Sequence, residues 1–255
     1  MRALFLGDIV GSCGRRAVTS LVPDLRAEFA LDYVVVNGEN SAGGRGITSA
    51  IAEDLFGCGV DIISGGNHTF QVRDVYPYLD DEPRVLRPFN YPPGAPGHGI
   101  ATSGDLTVIN LIGRVFMGSD YDDPFRAAPE ALRQVPEGNA VLIDFHAEAT
   151  SEKQALAWYL DGRISAFVGT HTHVPTADAR ILPGGTAYCT DAGMCGARDS
   201  VIGDDRHAVV SRFLTQMPTR LPAAEGTAVV NGLCIEIDDQ TRRAISIERV
   251  DRIVD

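Results

Sequence analysis

Short apolar runs alternate with amphipathic stretches through the first ninety residues. "RALFLG" reads as a strand, and residues 15–30, "RRAVTSLVPDLRAEFA", carry apolar side chains at helical spacing with Pro23 marking a kink or a restart. "DYVVVNG" is a buried strand, and "TSAIAEDLFGCG" is a helix with Thr48 as N-cap and glycine at its end. "VDIISGG" is the next strand, and a helix is expected over 70–79. A β-α-β-α-β order of this kind packs strands against helices. Residues 83–99, "PRVLRPFNYPPGAPGHG", are dense in proline and glycine and read as a loop long enough to wall a site.

Beyond that loop the alternation resumes. "LTVINLIG", "NAVLIDFH" and "ISAFVGTH" are strands, separated by the helices "PFRAAPEALRQV" and "SEKQALAWYL". The last third turns toward β structure, with "ARILPGGTAYCT", a helix near 206–216, and a closing hairpin of "GTAVVNGLCIEID" and "RRAISIERVD". No repeat, low-complexity tract or linker divides the chain, so residues 1–255 are expected to form one domain.

The polar residues that end the apolar runs change the picture. Asp8 follows the first strand, Glu39 and Asn40 the second, and Asn67 and His68 the third. His146 ends "NAVLIDFH", and His171 and His173 follow "ISAFVG". Taken singly, each has an ordinary reading: Asp8 as a helix cap, Glu39-Asn40 as a polar turn, "GGNH" as a glycine turn, His146 as a partner of a backbone carbonyl. Taken together, five strands each finish in a potential ligand, and carboxyl ends of strands in an α/β sheet share an edge. The pair in "GTHTHV" adds weight, because two neutral imidazoles one residue apart chelate a divalent ion well and suit an apolar core poorly.

Three histidines, two carboxylates and asparagine oxygens form a mixed nitrogen and oxygen set suited to iron, manganese or zinc. Seven candidates exceed what one site with an open position can use, whereas two ions sharing a carboxylate would employ them all. Such a pair binds phosphoryl oxygens and lowers the pKa of a bridging water, the chemistry of phosphoester hydrolysis.

Composition narrows the partners. With 34 acidic against 22 basic residues the formal charge is -12, which disfavours a long polyphosphate backbone but not a small phosphate ester drawn to metal. No stable binding to duplex nucleic acid is expected. Five scattered cysteines without a C-x-x-C pair suit reduced thiols in a cytoplasm, and no apolar run reaches membrane length. A homo-oligomer is left open.

The ordered motifs "GDIVG", "NGEN", "GGNH", "DFHAEATSEK" and "GTHTHV", with "FNYPPGAPGHG" and "TDAGMCGARDSVIG", resemble the YmdB-type branch of the calcineurin-like metallophosphoesterases from Asp8 to about Gly203. The resemblance implies an α/β fold, a four-layer α-β-β-α sandwich with two mixed sheets, and a phosphodiesterase acting on 2',3'-cyclic nucleotides or related small diesters. It implies two divalent or trivalent ions, iron first and manganese or zinc as alternatives. One would take Asp8, Glu39, Asn40 and His173; the other Glu39, Asn67, His146 and His171, with Glu39 bridging. His68 would meet the phosphate as general acid while metal-activated hydroxide attacks phosphorus.

Two departures stand out. The wider superfamily opens with Asp-x-His, whereas Ile9 and Val10 follow Asp8, so Asn40 is expected to supply a missing contact; and the usual bridging Asp of G-D-x-x-D is Glu39 here. Thr69 replaces the acidic residue expected after "GNH", which leaves the orientation of His68 unspecified. The alternatives are a metal-binding signalling or scaffold protein with incidental turnover and a phosphomonoesterase on the same scaffold. A TIM-barrel metallohydrolase fits less well because its H-x-H usually follows the first strand. The substrate-binding residues are not identified. "NSAGGRGIT" reads first as a turn after Asn40 and second as a phosphate cradle built round Arg45; Phe89 and Tyr91 are candidates for stacking a nucleobase; His98, His207, Asp191 and Asp199 receive no ligand role.

Overall fold

The computed structural model describes residues 1–255. In chain order the first half runs β1 (Arg2–Leu6), β2 (Asp8–Ile9), α1 (Gly11–Phe29), β3 (Tyr33–Asn37), α2 (Ser49–Gly57), β4 (Ile62–Ser64), α3 (Val75–Asp81), β5 (Ile100–Ser103), β6 (Leu106–Ile112) and α4 (Pro124–Leu132). The second half runs β7 (Ala140–His146), α5 (Thr150–Leu160), β8 (Ala166–Thr170), β9 (Arg180–Ile181), β10 (Ala187–Cys189), β11 (Met194–Ala197), α6 (Arg206–Thr215), β12 (Ala228–Ile237) and β13 (Ala244–Val254).

These strands make two mixed sheets. In the first, β1 pairs in parallel with β3 and β3 with β4, while β12 joins β1 antiparallel and extends to β11 and β13. In the second the order is β5-β6-β7-β8-β10-β9, parallel from β6 to β10. Side chains alternate across each strand, so each sheet has two apolar faces to cover. Phe5, Val35 and Ile62 from the first sheet meet Val108, Leu142 and Val168 from the second in the inter-sheet core. The opposite faces take helices: Leu4, Leu6 and Val36 pack on Val18, Val22 and Leu25 of α1, and Ile143 and Phe145 pack on Leu156 and Leu160 of α5. The result is the expected α-β-β-α sandwich, with helices outside both sheets.

Sequence and structure diverge locally. α1 begins at Gly11 and runs unbroken through Pro23. The 70–79 expectation holds only in its second half, because 66–74 is a chain of tight turns, among them Thr69 N to Gly66 O and Gln71 N to His68 O, before α3 starts at Val75. Thr48 caps α2 as expected, its side chain accepting from Ile51 N at 3.2 Å. All five cysteines are free. No helix is long and apolar enough to cross a membrane.

Candidate metal centre

Both sheets contribute to one crevice. β2, the turn after β3 and the turn after β4 bring Asp8, Glu39, Asn40, Asn67 and His68; β7 and the segment after β8 bring His146, His171 and His173. The strand ends do not line one sheet edge, as the sequence reading supposed; they meet where the carboxyl edges of two stacked sheets face each other. All seven proposed ligands and His68 are nonetheless brought together. Asp8, Glu39, Asn40 and His146 are buried and the other four are partly exposed, His68, His171 and His173 at a cavity of about 320 Å³.

Distances place the donors around shared points. His146 Nε2 lies 3.2 Å from Glu39 Oε1, 2.9 Å from Asn67 Oδ1 and 3.0 Å from His171 Nδ1. One donor atom each from Glu39, His146 and His171 falls within 4.8 Å of the others. On the other side of Glu39, Asn40 Nδ2 is 3.1 Å from Glu39 Oε1 and 3.0 Å from His173 Nε2, which is itself 3.8 Å from Asp8 Oδ1.

Each of the three candidate ligand imidazoles has its tautomer set from behind. His146 Nδ1 donates to Thr170 Oγ1 at 2.9 Å, and that hydroxyl donates to Asp144 Oδ1 at 2.7 Å. His173 Nδ1 donates to the Ile202 carbonyl at 2.7 Å, and His171 Nε2 donates to Glu148 Oε2 at 3.1 Å. The nitrogens left bare point into the cluster: His146 Nε2 toward Glu39 at 3.2 Å, His171 Nδ1 toward His146 at 3.0 Å and His173 Nε2 toward Asp8 at 3.8 Å. This is the outer arrangement that orients metal-binding histidines.

The electrostatics ask for a cation. Asp8 Oδ1 is buried without a hydrogen-bond partner, and burial pushes the Asp8 carboxyl up. Burial acts on Glu39 in the same sense, but His146 and then His68 outweigh it and hold Glu39 well below the usual carboxylate range. Burial alone would lower His146; Glu39 and Asp8 beside it raise it to about 9. Burial and the neighbouring His146 push His171 down to about 3, which leaves it neutral with its lone pair available. A Cβ on Gly66 would run into Glu39 Oε2 and the His146 ring, so the donors occupy space that only glycine leaves open.

His68 is tied to the same cluster. His68 N donates to Glu39 Oε2 at 2.9 Å, and His68 Nδ1 bonds Asn40 Oδ1 at 2.9 Å. Asn40 thus replaces the missing acidic residue as the partner that orients His68, while Thr69 Oγ1 stays within its own turn, bonding Gly66 N and O. In this arrangement Asn40 turns its amide nitrogen toward Glu39 and His173, so ligation by its oxygen requires a half-turn of the amide.

Other residues fall differently from expectation. Arg45 lines the cavity, as do Glu148, Ile202 and Asp204, none of which ends a strand and none of which the periodicity singled out. Phe89 and Tyr91 line a neighbouring cavity of about 450 Å³, and Tyr91 packs against Phe70 and Tyr121 with ring centroids 5.1 and 5.0 Å away. Asp191 binds no site atom but pairs with the buried Lys153 at 2.7 Å and accepts from Thr172 N and Oγ1, between the two histidines.

Two stacked mixed sheets with helices outside are the calcineurin-like metallophosphoesterase fold, and the histidine-carboxylate-asparagine cluster lies at their joint edge. The chain belongs to the YmdB-like protein family, whose profile matches residues 4–250. It is 49% identical over 255 residues, 98% of this chain and 96% of the other, to the 2',3'-cyclic-nucleotide 2'-phosphodiesterase of Bacillus subtilis strain 168. Among solved structures it superposes with a TM-score of 0.93 on a hypothetical protein from Thermus thermophilus, 43% identical with 100% of each chain covered. A novel phosphatase of Mycoplasma pneumoniae also gives 0.93, at 32% identity over 100% of this chain and 94% of that one.

Proposed function

We propose that this chain is a metal-dependent phosphodiesterase acting on 2',3'-cyclic nucleotides or similar small diesters, with residues 1–255 working as one domain. The observation that carries the reading is the convergence of donor atoms from Glu39, His146 and His171 within 4.8 Å of one another, with the buried, unpartnered Asp8 Oδ1 3.8 Å from His173 Nε2. The activity named for the B. subtilis relative agrees with it. Asp8, Glu39, Asn40 and His173 are suited to hold one ion, and Glu39, Asn67, His146 and His171 a second. The mixed donors favour iron, with manganese or zinc as alternatives. Bound there, such ions would neutralise phosphate oxygens and lower the pKa of water.

The chain's own residues complete the chemistry. Glu39 joins the two ligand sets, and Thr170 and Asp144 keep His146 Nε2 directed at it. His68 has Nδ1 engaged inward, so Nε2 is the nitrogen presented to the cavity. The proton that His68 delivers to the departing alkoxide leaves from Nε2, while Nδ1–H stays on Asn40 Oδ1 at 2.9 Å or Glu39 Oε1 at 3.3 Å, so that a neutral imidazole remains.

Elemental analysis of freshly purified protein, combined with a panel of cyclic nucleotides and generic diesters, tests the reading. His68→Ala is expected to keep the bound metal and lose about 10²–10⁴ in kcat. Loss of metal from that variant would place His68 among the ligands instead. Glu39→Gln should release metal and activity together; metal retained at the wild-type ratio would refute a shared carboxylate.

A further inference from the structure

The cavity in front of the metal centre has one Lys or Arg side chain in its wall, Arg45, against three carboxylates, Glu39, Glu148 and Asp204. Arg45 is exposed and forms no ion pair with the protein. Its backbone is nevertheless fixed. Gly43, Gly44 and Gly46 take left-handed φ values of 65, 99 and 80°, which suit glycine, and the turn closes through Ala42 N to Gly46 O at 2.7 Å and Arg45 N to Ala42 O at 3.3 Å. Gly44 N also bonds the carbonyl of Asn40 at 3.2 Å, tying this turn to the proposed metal ligand. A rigid turn carrying a free guanidinium into a site is what anion capture requires.

Asp204 lines the same cavity. It is half-buried, its side chain bonds no protein donor, and the basic side chains close enough to act on it are Arg45, His173 and His68. No ion pair joins it to Arg45, so the space between them is open to a ligand. Glu39 is engaged at the metal centre and Glu148 by His171, which leaves Asp204 as the free negative charge near an incoming phosphate.

We propose that Arg45 and Asp204 read the charge of the substrate: Arg45 binds a non-bridging phosphate oxygen, and Asp204 repels a second negative charge, so that diesters are accepted over monoesters. This rests on the phosphodiesterase reading above and assigns its substrate selection to two residues. The physical basis is that a phosphodiester carries a single charge at neutral pH whereas a monoester carries about 1.5 to 2. Selectivity then comes from a repulsive group as well as an attractive one.

The test compares 2',3'-cyclic AMP with adenosine 3'-monophosphate in the metal-loaded protein. Arg45→Ala is expected to raise KM for the cyclic diester about tenfold or more, as loss of a charge-assisted hydrogen bond does, with kcat nearly unchanged and metal content intact. Arg45→Lys should recover part of the loss. Asp204→Asn should raise kcat/KM for the monoester relative to the diester by about tenfold. Calorimetric binding of 2',3'-cyclic AMP in a His68→Ala background should weaken by the same factor when Arg45→Ala is added. A wild-type KM and wild-type calorimetric affinity in Arg45→Ala would overturn the role of Arg45. An unchanged monoester-to-diester ratio in Asp204→Asn would overturn that of Asp204. If the wild-type protein turned over no diester while Arg45→Ala still weakened binding, the catalytic reading would fall and the anion site would stand.

Discussion

At Gly66 a single hydrogen where other residues carry a methyl keeps the centre open. Glu39 Oε2 and the His146 ring already stand where that methyl would go. Gly66→Ala is expected to leave the fold intact, because the obstruction is confined to two side chains, and to lower metal occupancy and turnover together. Circular dichroism with metal analysis checks this; full occupancy in the alanine variant would show that the donors can move aside. His171 and His173 are a second case. Both sit at positive φ, 97 and 65°, where a side chain costs on the order of 1–3 kcal/mol. The turn they make is what lets imidazoles one residue apart address opposite sides of Glu39.

That turn is held by an element-scale device. Lys153 of α5 is fully buried and pairs at 2.7 Å with Asp191, which also accepts from Thr172 N at 3.2 Å, Thr172 Oγ1 at 2.8 Å and Gly193 N at 2.9 Å. Gly193 O in turn accepts from Asp8 N at 3.1 Å. One carboxylate thus links α5, the histidine turn and the β2 strand. Lys153→Met leaves Asp191 buried and uncompensated, and is expected to cost about 3–5 kcal/mol of stability, read by urea unfolding. A loss under about 1 kcal/mol would mean that Asp191 finds another partner. This device was hidden in the sequence, because the lysine in "SEKQALAWYL" reads as an ordinary solvent-facing helix position. The candidate ligands were picked out for the opposite reason: polar residues ending long apolar runs are conspicuous. The layers followed from the alternation of apolar strands and amphipathic helices together with the motif resemblance. The orientation of His68 was not legible, since its partner Asn40 lies 28 residues away and the local neighbour, Thr69, turns back into its own loop. Arg45 and Asp204 also escaped notice as a pair, because the cavity they share exists only after folding.

Across the whole molecule, acid and metal should act on different parts. Burial alone would raise the Asp178 carboxyl, but bonds from Thr190 and Thr176 prevail and hold it below its ordinary value. A carboxyl with a lowered folded pKa stabilises the native state above its unfolded value, about pH 4, and that contribution is lost as pH falls through the folded value. Asp178→Asn should therefore reduce stability at about pH 6 and make the decline between about pH 4 and pH 2 shallower than in the wild type. Parallel curves for the two proteins would exclude Asp178 as a contributor to acid sensitivity. The proposed ligands, for their part, divide between the layers: Asp8, Glu39, Asn40 and Asn67 belong to one sheet, and His146, His171 and His173 to the other. Ions seated among them would rivet the two halves of the sandwich at one rim, in the way a hinge pin joins two leaves. At a free metal concentration about a hundred times Kd, each site would contribute about 2.7 kcal/mol, so stripping one ion with a chelator should lower Tm by roughly 5–10 °C. The slowest amide exchange to be released by that treatment would then lie along the seam between the leaves, and chemistry and cohesion would be lost in a single step.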